Sequence, residues 1–382
     1  MKKILASLVF LITVSAQGQS LSFGKKMLDT LASSYFWGRG YTNEGMKKAA
    51  DFLAAQFQSY GLLPMNGKSF MQEFTHSVNT FPGKMEVAVN GKELVPGKDY
   101  IISPESKGVK GEGGLMKADS VQFVNQKDKL IFVLENKLTW SVSQEAVDFT
   151  LIQLDKKSVS PPLSSYKVNI ENKLEKKFKA NNICAVVKGN VKPDSMIFIT
   201  AHYDHLGGMG SSTFFPGAND NASGVSLLMN LAHYYAKNPQ RYSIGFILFA
   251  GEEAGLLGSK YFTQNPLVPL KNIRFLINTD LAGTGEEGIT VVNATEFPKE
   301  FELMKKINDE QKLLTAVNVR GKAANSDHYF FSEKGVPAFF FYTLGGIKAY
   351  HDVFDKPETL PLNEHEDLFK LIVAFNHKLM GN

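Results

Sequence analysis

After Asn182 short apolar runs follow one another: "ICAVVKG", "SMIFITAH", "YSIGFILFAG", "IRFLINTD", "GITVVN" and "PAFFFYT". They show little polar alternation, the pattern of strands covered on both faces. Helical patterns separate them: "NASGVSLLMNLAHYYAKN", "AGLLGSKYFTQN", "PKEFELMKKINDEQ" and "NEHEDLFKLIVAFNHKLM". Strands alternating with helices predict an α/β fold, a three-layer α/β/α sandwich around a mostly parallel mixed sheet. In such sheets the chemistry collects beyond the carboxyl ends of the strands.

The rest of the chain divides in two. Between Asn43 and Gly61, Met46, Ala49, Ala50, Leu53 and Phe57 recur at helical spacing, with Gly61 where a C-terminal cap belongs. Residues 77–181 change character, with the turn signals "NGKEL", "VPGKD" and "KGEGG", the β-type runs "KLIFVL" and "DFTLIQL", and Pro161-Pro162. They are expected to form an inserted β-rich domain between an N-terminal part, 17–76, and a catalytic domain, 182–382. A chain of 382 residues with 43% hydrophobic content supplies core enough for this plan.

Lys+Arg 42 against Asp+Glu 38 leaves a net charge of +4, and no basic run carries interleaved aromatics, so nucleic acid is not an expected partner. Two lysines, an apolar run from Ile4 to Val14 and the small residues before Gln17 read as a signal peptide over 1–16. That run is too short for a membrane span and predicts export to a bacterial periplasm or the medium. Cys184 is the only cysteine, which rules out an internal disulfide.

The ionisable residues fall at the strand ends. "SMIFITAH" closes on His202, with Asp204 two residues on; "YSIGFILFAG" runs into Glu252 and Glu253; "IRFLINTD" closes on Asp280. Asp220 lies in the loop "FPGANDNASGV" before a helix, and His351 follows the last strand. Adjacent carboxylates beside a dry core resist ionisation unless something positive neutralises them. Imidazole and carboxylate without thiolate suit zinc or another borderline divalent ion. Two metals sharing one carboxylate need one bridging acid and about two further ligands each, a number that His202, Asp220, Glu253, Asp280 and His351 supply. Glu252 is then left to take a proton from the activated water. Asp204 is expected to orient His202, with a turn aspartate as its plainer reading, and Tyr350 to donate to a developing oxyanion. Taken singly, Asp220 also reads as a helix cap, and so does Asp327 in "NSDHYFF". His205 and His328 remain unassigned, and His233 and His377 fall within helices.

The ordered series "AHYDHLG", "GANDNASGV", "GEEAGLLGS", "NTDLAG", "NSDHYFF" and "YHDVFD", with "GRGYTNEGMKKAADFLAAQFQSYGLLP" near the start, resembles the M28 zinc metallopeptidases. The resemblance covers about residues 35–75 and 182–382. It implies that His202 and Asp280 hold one zinc, Glu253 and His351 the other, and that Asp220 bridges them. It also implies Glu252 as general base and Asp204 as the residue orienting His202. The segment 77–181 stands where many exported relatives carry a protease-associated domain, whose glycine-rich pattern it matches poorly.

The expected activity is that of an exopeptidase with two zinc ions per chain acting on peptides, an aminopeptidase first. Alternatives are a metallocarboxypeptidase, for which Arg320 or Lys348 would recognise a free carboxylate, and a glutaminyl cyclase on the same scaffold. A binding protein that has lost the chemistry is a further alternative, and no ligand is missing as that reading would require.

Overall fold

The structure is a computed structural model that describes residues 21–381, and the expected signal peptide lies outside the described residues. No helix among the described residues is long and apolar enough to cross a membrane.

A 9-stranded sheet forms the centre. Its strands are β1 (Leu63–Pro64), β2 (Met71–Thr80), β3 (Lys173–Val187), β4 (Lys192–His202), β5 (Tyr242–Phe249), β6 (Ile273–Thr279), β7 (Ile289–Val292), β8 (Val317–Val319) and β9 (Ala338–Thr343). They lie in the order β1-β3-β5-β4-β6-β9-β7-β8, with β2 also paired to β3. The central strands β5, β4, β6 and β9 run parallel. The flanks are antiparallel where β3 meets β5 and β7 meets β9, so the sheet is mixed as expected.

Alternation along each strand splits the apolar residues between two faces. On β4, Ile197 and Ile199 join one core and Met196 and Phe198 the other. The first face is covered by α1 (Leu21–Leu31), α2 (Gly45–Ser59), α3 (Gly224–Lys237), α5 (Pro298–Gln311) and α7 (His365–Leu379). The second is covered by α4 (Leu257–Gln264) and α6 (His328–Glu333), through Phe262 and Phe331. Gly245, opposite Phe198 in the register, leaves room for that ring: a Cβ there would stand 2.4 Å from Phe198 Cε1. The helix read from 43–61 is α2, with its apolar positions buried and Gly61 in the left-handed region at its end.

Residues 85–170 build two further sheets, of 5 and 4 strands, around a core that includes Phe132, Ile152 and Tyr166. Positions 77 and 181 both fall inside long strands of the central sheet, β2 and β3, which pair with each other and lead out to the small sheets and back. The small core also takes in Leu206, Met209, Phe215 and Val353, from the loops beyond the central strands. The two parts of the chain therefore share packing at the edge where the ionisable residues gather.

Where α1 meets α7, Gly24 lies against the buried ring of His365, whose Nε2 is 3.3 Å from Asn230 Nδ2. Burial pulls His365 down to about 4. Its folded value lies below the unfolded value, so stability is full above about 6.5 and is lost as pH falls toward 4, the unfolded chain binding the proton first. His365→Gln should remove up to ~3 kcal/mol of this pH dependence, read as a flatter denaturation midpoint between pH 7 and 4.

Candidate metal and catalytic site

Parallel pairing brings the strand ends to one edge. His202 is the last residue of β4 and pairs with Phe249, the last of β5, three residues before Glu252. Asp280 follows directly on β6. The turn Ala218–Ser223 before α3 carries Asp220, and the loop after β9 carries His351. The sequence-predicted ligands thus converge, and His202, Asp220 and Asp280 are buried.

Asp220 stands between the imidazoles. Its Oδ1 is 3.3 Å from His202 Nε2, and its Oδ2 is 3.0 Å from His351 Nε2. His202 Nε2 also lies 3.3 Å from Asp280 Oδ1, and His351 Nε2 lies 3.2 Å from Glu253 Oε2. One carboxylate therefore faces two imidazoles with separate oxygens, and each imidazole faces one further acid. Glu252 reaches the same space, since its carboxylate, His202 and Asp280 offer ligand atoms within 4.8 Å of one another. His202, Asp220 and Glu253 form an overlapping group of the same size.

The donor set fits a borderline divalent cation: imidazole nitrogens and carboxylate oxygens, with the one thiol, Cys184, buried in the second core. Asp280 Oδ1 is buried with no hydrogen-bond partner, while its Oδ2 accepts from Ser326 Oγ at 3.1 Å. The one close polar neighbour of Oδ1 among the described residues is His202 Nε2 at 3.3 Å, and a buried carboxylate oxygen so placed is costly unless a cation meets it.

The electrostatics report the same concentration of negative charge. Burial pushes Glu252 well above the usual carboxylate range, and Asp327, Asp280 and Glu253 add to the push against the pull of His202. Burial likewise raises Asp327 to about 7 and Asp204 to about 6. Burial alone would depress His351, but the charges of Glu253 and Asp220 prevail and raise it to about 11. His202 is raised in the same way, against its burial, by Asp280, Glu252 and Asp220.

Asp204 acts through its backbone on His202 and through its carboxylate on the turn, the plainer of the two readings of its sequence position. His202 Nδ1 donates to the Asp204 backbone carbonyl at 3.1 Å, and the carboxylate Oδ1 stands 3.9 Å away. The carboxylate instead accepts the amides of Glu252 and Glu253, at 3.1 and 3.4 Å, and the Tyr41 hydroxyl at 3.2 Å. It holds the turn that carries both glutamates. Tyr350, 44% exposed, stacks on His351 with ring centroids 4.0 Å apart. Partial burial and then the charges of Asp220 and Glu253 raise its phenol well above the ordinary value, which keeps the proton in place for donation.

Sequence reasoning missed several supports. Arg39, fully buried, spends each of its five N–H groups on a backbone carbonyl: those of Tyr203, Leu31, Pro216, Gly217 and Asp220. It ties the segment after His202 to the turn carrying Asp220. Burial lowers Arg39 to about 10, so it stays charged at neutral pH among Asp220, Asp355 and Asp204. His205 Nδ1 lies 2.7 Å from Glu253 Oε1, and Gly217, at φ +56, admits its ring where a Cβ would stand 2.3 Å from Cδ2. Asp355 accepts the amides of Asn219 and Asp220 at 2.8 and 3.0 Å. The second histidine of "HYDH" and the last acid of "YHDVFD" were visible signals. Arg39, in a glycine-rich "GRGY", had none beyond the excess of buried acid that some cation must balance.

The profile of peptidase family M28 matches residues 182–376. Aminopeptidase YwaD of Bacillus subtilis is 27% identical over 223 residues, which cover 57% of this chain and 47% of that protein. A probable leucine aminopeptidase of Arthroderma otae is 30% identical over 220 residues, covering 54% and 60%. The chain thus spans under two thirds of the length of each of these curated relatives. Among solved structures, BSAP, a zinc aminopeptidase from Bacillus subtilis, superposes with a TM-score of 0.69 at 17% identity over 94% of both chains. At that identity the likeness is one of fold.

Proposed function

We propose that this chain, which belongs to peptidase family M28, is a zinc-dependent aminopeptidase that removes N-terminal residues from peptides. The observation that carries the reading is the single carboxylate of Asp220 between His202 and His351, each flanked by its own further acid. His202 and Asp280 would hold one zinc ion, Glu253 and His351 a second, and Asp220 both.

When bound, zinc supplies a Lewis acid that polarises the scissile carbonyl and brings the pKa of a water from 15.7 to about 7. Glu252 accepts the proton of the attacking water and returns it to the departing amine. The amides locked by Asp204 fix where its carboxylate can reach. Tyr350 donates its phenolic proton in a hydrogen bond to the oxygen on which charge develops.

The choice of an amine end over a carboxylate end rests on charge. Asp204, Asp220, Asp280, Asp327 and Asp355 are buried, and Glu252 and Glu253 are half-buried among them. Even with Glu252 and Asp327 protonated, the remaining carboxylates match the positive charges that two zinc ions and Arg39 would bring, which leaves no surplus positive charge for a substrate carboxylate. Arg39 has no donor left for a substrate carboxylate, and Arg320 donates to the Tyr342 hydroxyl at 3.0 Å.

Removal of metal should cost both activity and stability. A ligand at 1,000 times its Kd stabilises the folded state by about 4 kcal/mol, so chelated protein should melt at a lower temperature and release no amino acid from a peptide. Zinc should restore both. A chelated protein with unchanged melting and full activity would overturn the reading.

A further inference from the structure

The segment that runs from Lys137 to Gln144, between two paired strands of the 5-stranded small sheet, has no regular secondary structure, yet it touches two of the loops that carry candidate ligands. At one end, Trp140 and His351 exchange two hydrogen bonds: the Trp140 amide donates to the His351 carbonyl at 2.9 Å, and His351 Nδ1 donates to the Trp140 carbonyl at 2.9 Å. Lys137 Nζ reaches the same loop, 3.0 Å from the Lys348 carbonyl and 3.4 Å from both the Tyr350 carbonyl and Asp352 Oδ2. At the other end, Gln144 Nε2 donates to the Ala254 carbonyl at 2.9 Å, next to Glu253.

The strap is itself anchored. Trp140 stacks on Phe215, centroids 4.7 Å apart, and its Nε1 donates to the Ile102 carbonyl at 2.8 Å. Ser77 Oγ donates to the Gln144 carbonyl, and the Asn79 amide to the Ser143 carbonyl. Val142 packs against the central core and the small core alike.

His351 needs such a hold. Its backbone sits in the left-handed region at φ +54, unfavourable for a side chain with a Cβ. To offer the Nε2 lone pair to a metal the ring must keep its proton on Nδ1, and a carbonyl partner fixes that tautomer. No other backbone group is hydrogen-bonded to this ring among the described residues.

Resting on the dinuclear reading above, we infer that the Lys137–Gln144 strap is a positioning device for one metal only, the ion held by Glu253 and His351. Lys137 and Gln144 are its fastenings and the Trp140 carbonyl its contact with the ligand. The ion held by His202 and Asp280 has its supports elsewhere, in the Asp204 carbonyl and Ser326.

The test is zinc titration of the metal-free full chain. The parent should take up two ions. Lys137→Met, Gln144→Leu and the double variant should bind one ion about 10–100-fold more weakly, the range seen when a partner of a ligand is lost, and the other ion as before. Lys137→Arg should recover much of the loss. The assignment of the ion is checked in two backgrounds: with Asp280→Ala the remaining ion should respond to Lys137→Met, and with Glu253→Ala it should not. Lys137 is half-exposed, so its replacement leaves the fold intact, and circular dichroism on the same samples verifies this. Equal weakening of both ions, or no change in either, overturns the strap while leaving the dinuclear reading standing. Uptake of a single ion by the parent overturns that reading and the strap with it.

Discussion

Glu252→Gln is expected to lower peptide turnover by about 10²–10⁴-fold, the usual contribution of a positioned acid or base, and to leave bound zinc unchanged. The substitution keeps the shape of the side chain and removes only its capacity to take a proton. The Glu252 and Glu253 amides remain fixed by the Asp204 carboxylate, so the turn stays in place. KM should change little, because the loss falls on the transition state rather than on binding. Zinc content measured beside kcat separates the roles open to this residue. Since Glu252 also lies near His202 and Asp280, loss of one zinc equivalent would make it a ligand, and full activity would remove it from the chemistry.

The second large effect is expected at Arg39, far from it in sequence. Arg39→Met should lower folding stability by on the order of 3–5 kcal/mol, the cost of breaking a buried charged network by removing one partner. The carbonyls of Tyr203, Leu31, Pro216, Gly217 and Asp220 lose their donor at once, and buried acceptors left unpaired each cost free energy. The surrounding acids lose a compensating charge as well. Arg39→Lys should rescue little, because an ammonium has three donors on a flexible stem in place of a planar fork of five. Urea denaturation of the metal-free chain measures this without the contribution of zinc. A change under ~1 kcal/mol, within the range of an exposed ion pair, would show that the network is not holding the site together.

The sequence carried the central strands and most of the candidate ligands for one physical reason. Strands buried on both faces are written as unbroken apolar runs, so a polar residue at the end of such a run, like His202 or Asp280, stands out at once. Asp220 and His351 lie in loops and became legible only as members of the set. What stayed hidden acts through the backbone: the Trp140 carbonyl on His351, the Asp204 carbonyl on His202, and the five carbonyls around Arg39. Backbone groups have no residue type to read. The reach of β3 was hidden differently. Its opening stretch, "KLEKKFKANN", is largely polar because it pairs with β2 at the margin of the sheet, where one side meets water.

The most direct test of the account is hydrolysis of one short peptide in three forms, with free ends, N-acetylated and C-amidated, by chelated protein before and after zinc is restored. The account predicts that only the zinc-restored protein cleaves, that C-amidation is tolerated, and that N-acetylation stops the reaction. Cleavage that survives acetylation but fails on the amidated peptide would contradict it and assign the site to a carboxypeptidase.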